Sequence, residues 1–577
     1  MSFLSARFLP DRKHLSLKTL FINCLALCLC ASVVQIAVGQ GLPLAKPVAV
    51  GMNAAKLEQI EQLVLADIKD KKLPGAVVIV GHKGKIVYRK AFGNRSLVPT
   101  VEPMTVDTIF DVASLTKPVA TATSIMMLVE QGKLRLNDTV GKFIPEIEDE
   151  RAKSITIQQL LTHTSGYAPD FDLKEKWTGR DGMLAALKKE KLRSAPGTKF
   201  VYSDIGFIVL GEIAARSLEG YQGEFPFPFL RNSLRMLDSN FAHVHPGKIH
   251  DSKYWTLNPW KESDLRRIAP TENVRGQSSY LRSTFEGDNK LRDQLLRGQV
   301  HDPTAFRMEG FAGHAGLFST ADDLARYSQM LLNGGVAPTS QAETRAVASV
   351  PRESSKRTLP TGRVSALNER RILSAQTIAR MTQPYVVSED GSTRGLGWDM
   401  NTSFSSNRGE LFPLGSFGHT GFTGTSIWID PTSQTFVVFL SNRVHPDGKG
   451  DVTPLRAKIS TVVASAIEDT PMEKWKEAEA RYNAAVAAQI PKFRATVEAA
   501  NATNSAIRSP QSAVVLNGID VLEKSGFKEL EGKRIGLVTN HTGRNLAGKS
   551  TIDVLYEAKN LKPVSYTHLT LPTILRV

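Results

Sequence analysis

A serine and a lysine stand three residues apart where a largely apolar segment begins. Ser114 and Lys117 close the stretch 110–117, and residues 118–129 follow. On a helix, residues three apart share a face, so this spacing brings the amine beside the hydroxyl. A hydroxyl becomes a nucleophile when a base takes its proton, and lysine is such a base if its own charge is suppressed. The pair predicts a serine nucleophile, although an ordinary helix start with an exposed lysine has the same spacing.

Three further motifs follow in a characteristic order. They are Leu-Leu-Thr-His-Thr-Ser-Gly at residues 160–166, Tyr-Ser-Asp at 202–204 and Gly-His-Thr-Gly at 418–421. With the Ser-x-x-Lys pair, this set resembles the class C β-lactamase and penicillin-binding-protein superfamily over about residues 45–470. The resemblance implies a serine hydrolase that works through an acyl-enzyme, with no metal and no organic cofactor.

Each motif then takes a role in acyl transfer. We expect Ser114 to attack a carbonyl, and Lys117 and the Tyr202 phenol to move its proton to the leaving group. The tetrahedral oxyanion needs two fixed donors, which we assign to the backbone N–H groups of Ser114 and Phe422. The residues expected to bind substrate are Asp204, His419, Thr420 and Gly421.

Two residues depart from the usual motifs of the superfamily. His419 stands where lysine is usual, and an imidazole is mostly neutral near pH 7, so binding of a substrate carboxylate should be weaker. This argues against a D-Ala-D-Ala carboxypeptidase and an efficient β-lactamase. Asp204 stands where asparagine is usual, and its anion only accepts hydrogen bonds. It either raises the pKa of Lys117 or holds the amine through a hydrogen bond, and both departures suit an esterase or an amidase acting on a different linkage.

The elements that position these motifs are predicted at both ends of the region. Asn53 is expected to cap an amphipathic helix, and residues 76–80 and 85–88 predict a β-hairpin. Residues 426–440 predict a second hairpin, and residues 455–468 a helix. The middle is largely helical in pattern. We therefore expect an α+β fold, in which an antiparallel sheet built from both ends is flanked by helices and a helical region is inserted between them.

The inserted region contains irregular and histidine-rich stretches. Within residues 222–305, the run Phe-Pro-Phe-Pro-Phe at 225–229 and the polar run at 251–290 predict loops. These loops either cover the cleft as a lid or have no role. Two groups of candidate metal ligands stand here: His301, Asp302 and His314, and His243, His245 and His250. Their spacing is not distinctive, so we expect ordinary hydrogen-bonded side chains and no metal.

Composition changes outside the predicted hydrolase domain at residues 40–470. Residues 1–39 carry four basic residues and an apolar run at 19–38, which predicts a signal peptide, with an uncleaved membrane anchor as the alternative. Residues 471–513 predict a helical linker. Residues 514–564 resemble the start of an exo-N-acetylmuramidase (DUF1343-type) domain, as an incomplete α/β segment. Residues 565–577 resemble a translated cloning adapter and are set apart as a non-native tail.

Charge and cysteine content exclude several classes of function. The formal net charge of +15 becomes +12 without residues 1–39, which carry four basic residues and one acid, and no nucleic-acid motif accompanies it. Residues 543–550 fit the pattern of a phosphate-binding loop, but three residues separate it from the strand and too few follow for a Mg²⁺-binding aspartate. We therefore expect neither nucleic acid nor nucleotide as partner. All three cysteines lie within residues 24–30, so the mature chain has no cysteine chemistry.

The sequence thus predicts an exported serine hydrolase, periplasmic or extracellular. Association with a muramidase-like segment favours peptidoglycan fragments as partners, for example the amide that joins muramic acid to its peptide. A carboxylesterase acting on a small ester, or a weak β-lactamase, is the alternative enzyme. From a different class, the domain is a non-catalytic module that binds the cell wall. Labelling of Ser114 by an active-site-directed phosphonate separates an enzyme from such a module.

Overall fold

The computed structural model describes most of the chain in two units, residues 1–500 and 501–577. The described residues are 41–217, 227–241, 250–251, 256–257, 260–274, 295–339, 370–507, 518–531, 534–539, 545, 547, 549–558 and 561–568. The predicted signal peptide, His243, His245, and much of the phosphate-loop-like stretch 543–550 lie outside them. Each unit is described by itself.

Strands from both ends of the hydrolase region meet in one sheet. In chain order the strands of the first unit are β1 (Gly75–His82), β2 (Lys85–Ser96), β3 (Glu102–Pro103), β4 (Phe110–Asp111), β5 (Asn240–Phe241), β6 (His250–Asp251), β7 (Thr256–Leu257), β8 (Leu317–Ser319), β9 (Tyr385–Val386), β10 (Thr393–Arg394), β11 (Asp399–Asn401), β12 (Phe417–Thr420), β13 (Ser426–Asp430) and β14 (Thr435–Ser441). Within the described residues, nine of them form an antiparallel sheet in the order β3-β2-β1-β14-β13-β12-β11-β10-β9. The predicted α+β fold is confirmed.

The central strands are buried on both faces because helices cover each side. In β1, Val77 and Ile79 face the larger core, whereas Val78 and Val80 face a smaller core under the first and last helices of the region. Successive side chains of a strand point to opposite faces, so a strand covered on both sides is apolar throughout. This is why β1 and β14 are continuous apolar runs, without the alternation of a half-exposed strand.

The helices begin and end at recognisable sequence signals. In chain order they are α1 (Ala54–Lys69), α2 (Thr123–Glu130), α3 (Val140–Phe143), α4 (Glu150–Lys153), α5 (Ile157–Leu161), α6 (Gly179–Lys189), α7 (Asp204–Arg216), α8 (Phe227–Leu234), α9 (Glu262–Leu265), α10 (Pro303–Arg307), α11 (Ala321–Leu332), α12 (Ala375–Thr382), α13 (Thr453–Ser465) and α14 (Met472–Ile507). Asn53 caps α1 as predicted, since its side chain accepts from the Lys56 N–H at 3.0 Å. Leu57 and Ile60 of α1 pack with Leu455 and Ile459 of α13 in the smaller core.

The prediction of a loop at residues 225–229 is wrong for its described part. Residues 227–229 begin helix α8, and Phe227, Leu230 and Leu234 of this helix are buried. Pro228 lies in the first turn, where the N–H that proline lacks has no partner within the helix. A phenylalanine and proline run therefore begins a buried helix.

The predicted linker is helical, and its first half packs on the sheet. Helix α14 contains Pro491. The buried Tyr482 hydroxyl bonds to the Thr393 hydroxyl of β10, and the Gln489 amide donates to the Pro384 carbonyl at 2.8 Å. This part of the helix therefore supports the edge of the sheet formed by β9 and β10.

The second unit contains α15 (Gly518–Lys524), β15 (Arg534–Thr539), α16 (Thr551–Glu557) and β16 (Lys562–His568). Strands β15 and β16 are parallel, with Gly536 paired to Ser565 and Thr539 paired to His568. Residues 565–568, which the sequence analysis set apart, thus take part in this pairing.

Among the helices in the described part of the chain, none is both long enough and apolar enough to cross a bilayer.

Candidate active site

Ser114 stands in a tight turn between β4 and the helix that follows. A 3₁₀ turn, Ala113–Leu115, leads into a π-helical segment, Lys117–Ala122, which continues as α2. Ala113 has a φ of +48°, a left-handed conformation that costs free energy for a residue with a side chain. Backbone strain and π-helical turns of this kind concentrate at functional sites.

The Asp111 carboxylate holds this strained turn in place. One oxygen accepts from the Ala113 N–H at 2.9 Å, and the other accepts from the His301 N–H at 2.7 Å. The side chain is fully buried, and this burial raises the pKa of Asp111 to about 6. The chain just before Ser114 is therefore tied to a segment 190 residues away.

The turn after β12 is fastened against the same segment. The Thr423 hydroxyl donates to the Asp111 carbonyl at 2.7 Å, and the Thr425 hydroxyl donates to the Val112 carbonyl at 2.9 Å. A side chain at Gly421 would overlap the Val112 carbonyl oxygen, so this close approach requires glycine. The contact brings Phe422, one of the two predicted oxyanion donors, beside Ser114.

Lys117 is fully buried and is held by three acceptors. Its Nζ donates to Ser114 Oγ at 3.0 Å and to the His314 carbonyl at 3.1 Å, and lies 2.6 Å from Asp204 Oδ1. Burial by itself would lower the pKa of Lys117, but the Asp204 carboxylate outweighs it and raises the pKa above its usual value. Of the two roles that the sequence left open for Asp204, the structure supports the first. Lys117 is an ammonium donor to Ser114.

Tyr202 is positioned by the start of α7 and by a neutral histidine. Ser203 caps the helix by accepting from the Gly206 N–H at 3.2 Å, and its own N–H donates to His163 Nδ1 at 3.0 Å. The His163 ring stacks on the Tyr202 ring with centroids 4.4 Å apart. Burial, together with nearby positive charges, lowers the pKa of His163 well below its usual value. The motif at residues 160–166 contains His163, but its pattern did not predict that this histidine orients Tyr202.

His419 is neutral, in accord with the expectation from its type. Burial, followed by the charges of Arg394 and Lys117, lowers the pKa of His419 well below its usual value. Its Nδ1 lies 2.8 Å from the Thr420 carbonyl oxygen. Because a carbonyl only accepts, Nδ1 carries the proton and Nε2 presents a lone pair.

A cavity of about 160 Å³ brings most of the predicted residues together. It is lined by Ser114, Tyr202, Arg394, Asp399, Phe404, His419, Thr420 and Phe422. The Lys117 ammonium lies 4.9 Å from the centroid of the Tyr202 ring. Asp204 does not line the cavity itself, but it contacts the Lys117 ammonium that donates to Ser114. The cavity therefore offers a hydroxyl, a phenol and an imidazole lone pair, backed by an ammonium ion.

Arg394 is the functional candidate that sequence reasoning missed. Its side chain is 0% exposed, and its Nη1 pairs with Asp399 Oδ1 at 3.2 Å. Its Nε and Nη2 find no hydrogen-bond partner among the described residues. The guanidinium carbon lies 5.9 Å from the centroid of the Tyr202 ring. In the sequence the only signal is a single arginine before Gly-Leu-Gly-Trp at 395–398, which carries no motif.

Two of the predicted metal-ligand candidates, His301 and His314, lie in hydrogen-bond contact with carboxylates. His301 Nε2 lies 3.0 Å from Glu272, and His314 Nε2 lies 2.8 Å from Asp302. Burial would raise the pKa of Asp302, but the His314 imidazolium lowers it to about 2. Burial would lower the pKa of His314, but Asp302 raises it.

Ligand atoms of Asp204, Asp302 and His314 lie within 4.8 Å of one another, a separation that a metal ion could bridge. The Lys117 ammonium and the His314 imidazolium already supply positive charge to these two carboxylates. The negative charge of the two carboxylates is thus balanced by cationic side chains of the protein itself.

Comparisons with known proteins agree with this fold. A family model described as Beta-lactamase matches residues 60–460. A protein of Escherichia coli (strain K12) named "Putative D-alanyl-D-alanine carboxypeptidase" is 27% identical over 422 residues, covering 69% of this chain and 85% of the relative. A protein with the same name from Salmonella enteritidis PT4 (strain P125109) is 28% identical over 427 residues, covering 70% and 86%. The solved structure of EstCE1, a hydrolase with promiscuous acyltransferase activity, shares the fold with a TM-score of 0.50 at 19% identity, covering 71% of this chain and 99% of that chain.

Proposed function

The chain belongs to the beta-lactamase family and is a serine hydrolase, and from this premise we propose that it cleaves amide bonds of peptidoglycan fragments through an acyl-enzyme on Ser114. One observation carries the proposal: the Lys117 ammonium donates to Ser114 Oγ at 3.0 Å. Ser114 lies in the wall of a cavity that also holds Tyr202. The names of the two relatives support an amide substrate.

Acylation begins when Ser114 Oγ forms a bond to the substrate carbonyl carbon. The serine proton passes to the Tyr202 oxygen while the phenol passes its own proton toward the leaving nitrogen, because Lys117 is already protonated and cannot accept it. The ammonium of Lys117 and the guanidinium of Arg394 favour negative charge on this side of the cavity. The backbone N–H groups of Ser114 and Phe422 hold the oxyanion.

The acyl-enzyme forms when the carbon–nitrogen bond breaks. Tyr202 gives its proton to the leaving nitrogen, which departs as an amine. A water molecule then attacks the ester carbonyl, with the Tyr202 oxygen or the His419 Nε2 lone pair accepting its proton. The products are the amine, the carboxylate of the acyl part and free Ser114.

The substrate and the place of action rest on the arrangement of the whole chain. Residues 514–564 resemble a muramidase domain that acts on the cell wall, and residues 1–39 fit an export signal. An exported hydrolase joined to such a segment meets peptidoglycan fragments. The muramoyl-peptide amide and the terminal amide of the peptide are both bonds of the required type.

Mass spectrometry of muropeptides incubated with the protein tests this proposal. We expect new products with the wild type and none with Ser114→Ala. Tyr202→Phe keeps the ring that stacks on His163 and removes only the hydroxyl, so we expect turnover to fall about 100-fold or more. A fluorescent phosphonate should label Ser114 in the wild type, and more slowly in Tyr202→Phe.

Other outcomes would overturn the proposal in distinct ways. If Ser114→Ala matched the wild type, the nucleophile would be a different residue. Cleavage of simple esters with muropeptides left intact would indicate a carboxylesterase. Binding of muropeptides without phosphonate labelling or turnover would indicate a wall-binding module.

A further inference from the structure

We propose that Arg456 is a positioning residue for acyl transfer, and that its buried guanidinium orients and polarises the peptide whose N–H holds the oxyanion. The inference rests on the proposed acyl-enzyme at Ser114 and on the assignment of the Phe422 N–H as an oxyanion donor. Arg456 does not line the cavity, so it acts through the peptide between Gly421 and Phe422.

Helix α13 brings Arg456 to the turn that follows β12. Arg456 lies near the start of this helix, which begins at Thr453. Its Nη2 donates to the Gly421 carbonyl at 2.9 Å, from a position 35 residues later in the chain. The same carbonyl accepts from the Gly424 N–H at 3.1 Å. Two donors on one oxygen thus fix the direction of this carbonyl.

The direction of the Gly421 carbonyl determines the direction of the Phe422 N–H. Both groups belong to one planar trans peptide, in which the C=O and the N–H point in opposite directions. Since the carbonyl points to Arg456, the N–H points away from it. Phe422 lines the cavity whereas Arg456 does not, which is the arrangement that an N–H directed into the cavity requires.

Phe422 is also held through its other groups. Its carbonyl accepts from Arg443 Nε at 2.8 Å, and the Arg443 guanidinium carbon lies 4.5 Å from the centroid of its ring. The His301 ring stacks on the same ring with centroids 5.8 Å apart. The residue that carries the oxyanion donor is therefore fixed by contacts that remain when Arg456 is changed.

The position of Arg456 is unfavourable for stability. Its side chain is buried, and among the described residues no carboxylate lies within ion-pair distance of it. Burial, followed by the charge of Arg443, lowers the pKa of Arg456 to about 9, so the group is still a cation at neutral pH. A cation near the start of a helix also opposes the helix dipole. A buried charge without an ionic partner costs free energy, and such costs are typical of functional sites.

The guanidinium strengthens the Phe422 N–H as a donor. Hydrogen bonds in series polarise one another, so a cation at the Gly421 carbonyl draws electron density from the peptide and makes its N–H more positive. The tetrahedral oxyanion carries a negative charge that the substrate carbonyl lacks, so the transition state gains more than the bound substrate. Acylation and deacylation both pass through an oxyanion. Loss of Arg456 should therefore lower kcat and leave KM nearly unchanged.

Kinetics with p-nitrophenyl acetate, together with inhibition by phenylboronic acid, test the inference. The boron forms a bond to Ser114 Oγ, and the tetrahedral adduct presents negative charge to the oxyanion donors. We expect Arg456→Met to lower kcat by about 10-fold or more and to raise the Ki of the boronic acid by a similar factor, with KM within about twofold. Arg456→Lys keeps the charge and should restore part of both losses. Lys458→Met removes an exposed cation from the same helix and should change none of these values.

Urea unfolding separates this role from a purely structural one. In Arg456→Met the Gly421 carbonyl keeps the Gly424 N–H, and the cost of an unpaired buried charge is removed. We therefore expect this variant to be as stable as the wild type or more stable, although its kcat is lower. A loss of stability together with a raised KM would overturn the inference.

The inference and the hydrolase proposal fail in different ways. Wild-type kcat and Ki in Arg456→Met would overturn the role of Arg456 and leave the Ser114 nucleophile in place. Failure of Arg456→Lys to recover any activity would overturn a role for the charge. A wild-type protein that neither cleaves the ester nor binds the boronic acid would overturn the hydrolase proposal, and the inference with it.

Discussion

The Lys117 ammonium contacts the Asp204 carboxylate, the His314 carbonyl and the Ser114 hydroxyl. Each of its three N–H bonds therefore has an acceptor. An ammonium in this setting directs its positive charge at Ser114 and the nearby Tyr202 ring. The amine is therefore a fixed donor, and the proton acceptor must be found elsewhere. In our mechanism the acceptor is the Tyr202 oxygen, and the Lys117 ammonium stabilises the partial negative charge on that oxygen as the phenol gives up its own proton.

Asp204→Asn tests this charge state. The carboxylate raises the pKa of Lys117, so its loss leaves burial dominant and the pKa falls. An opposite charge in contact shifts a pKa by about 1–3 units, so we expect the alkaline limb of the kcat/KM profile to move down by at least about 1 pH unit. The measurement is a pH–rate profile between pH 6 and 10.5.

Asp172→Asn, at an exposed aspartate, is the control for Asp204→Asn and should leave the profile in place. If the free amine of Lys117 were the base, Asp204→Asn would raise the activity near neutral pH. That increase would contradict a mechanism in which the Lys117 ammonium is a fixed donor.

At the scale of elements, the nucleophile turn is held between two distant parts of the chain. Asp111 binds the backbone N–H groups of Ala113 and His301, while Thr423 and Thr425 bind the carbonyls of residues 111 and 112. A left-handed alanine persists only where neighbouring contacts fix it. These four bonds therefore keep Ser114 in position at the junction of β4, β12 and the inserted region.

Asp111→Asn should change how stability depends on pH. The pKa of Asp111 is 3.8 in its ordinary state and about 6 in the folded protein, so the folded state binds this proton more tightly. Its contribution to the free energy of unfolding is complete below pH ~4 and is lost as the pH rises to ~6, by about 3 kcal/mol. The asparagine has no such proton to release.

Urea unfolding of both proteins at several pH values from 4 to 7 measures this contribution. The stability of the wild type relative to Asp111→Asn should fall by about 3 kcal/mol across the range. Other buried acids are present in both proteins, so their effects cancel in the difference. A difference that stayed constant with pH would show that Asp111 does not titrate in this window.

At the scale of the whole molecule, helix α14 belongs to the support of the active site. Its buried Tyr482 bonds to Thr393, the residue that precedes Arg394 on β10, and Gln489 bonds to the chain that leads into β9. The edge of the sheet that carries Arg394 thus depends on a helix that the sequence predicted as a linker. The hydrolase unit extends beyond residue 470 for this reason.

Tyr482→Ala should therefore destabilise the hydrolase and lower its activity together. Truncation of a large buried side chain costs about 3 kcal/mol or more in the free energy of unfolding. We expect a loss of this size in urea unfolding, together with a lower kcat/KM at a temperature where the variant stays folded. Arg481→Ala changes a neighbour whose side chain is 73% exposed and should alter neither quantity. Loss of stability with an unchanged kcat/KM would show that α14 does not support the active site.

Local patterns in the sequence determined much of this protein. Short strand-like runs and the turn residues between them predicted both hairpins, Asn53 predicted its cap, and the spacing of Ser114 and Lys117 predicted their contact. Each of these depends on residues close together in the chain, where backbone geometry fixes the distance. The Phe-Pro run failed because prolines disfavour a helix interior but are tolerated in its first turn. Export and the cell-wall substrate stay predictions.

Tertiary structure alone decided the charges of the site. The pKa of Lys117 results from burial opposed by a carboxylate 87 positions later in the chain, and His419 is neutral because of burial and two nearby cations. Arg394 carries no motif, and only the pairing of three strands brings it to the wall of the cavity. Desolvation and Coulomb energy depend on which groups approach in space. Spacing along the chain cannot give those distances, so the charge states of these groups had to come from the fold.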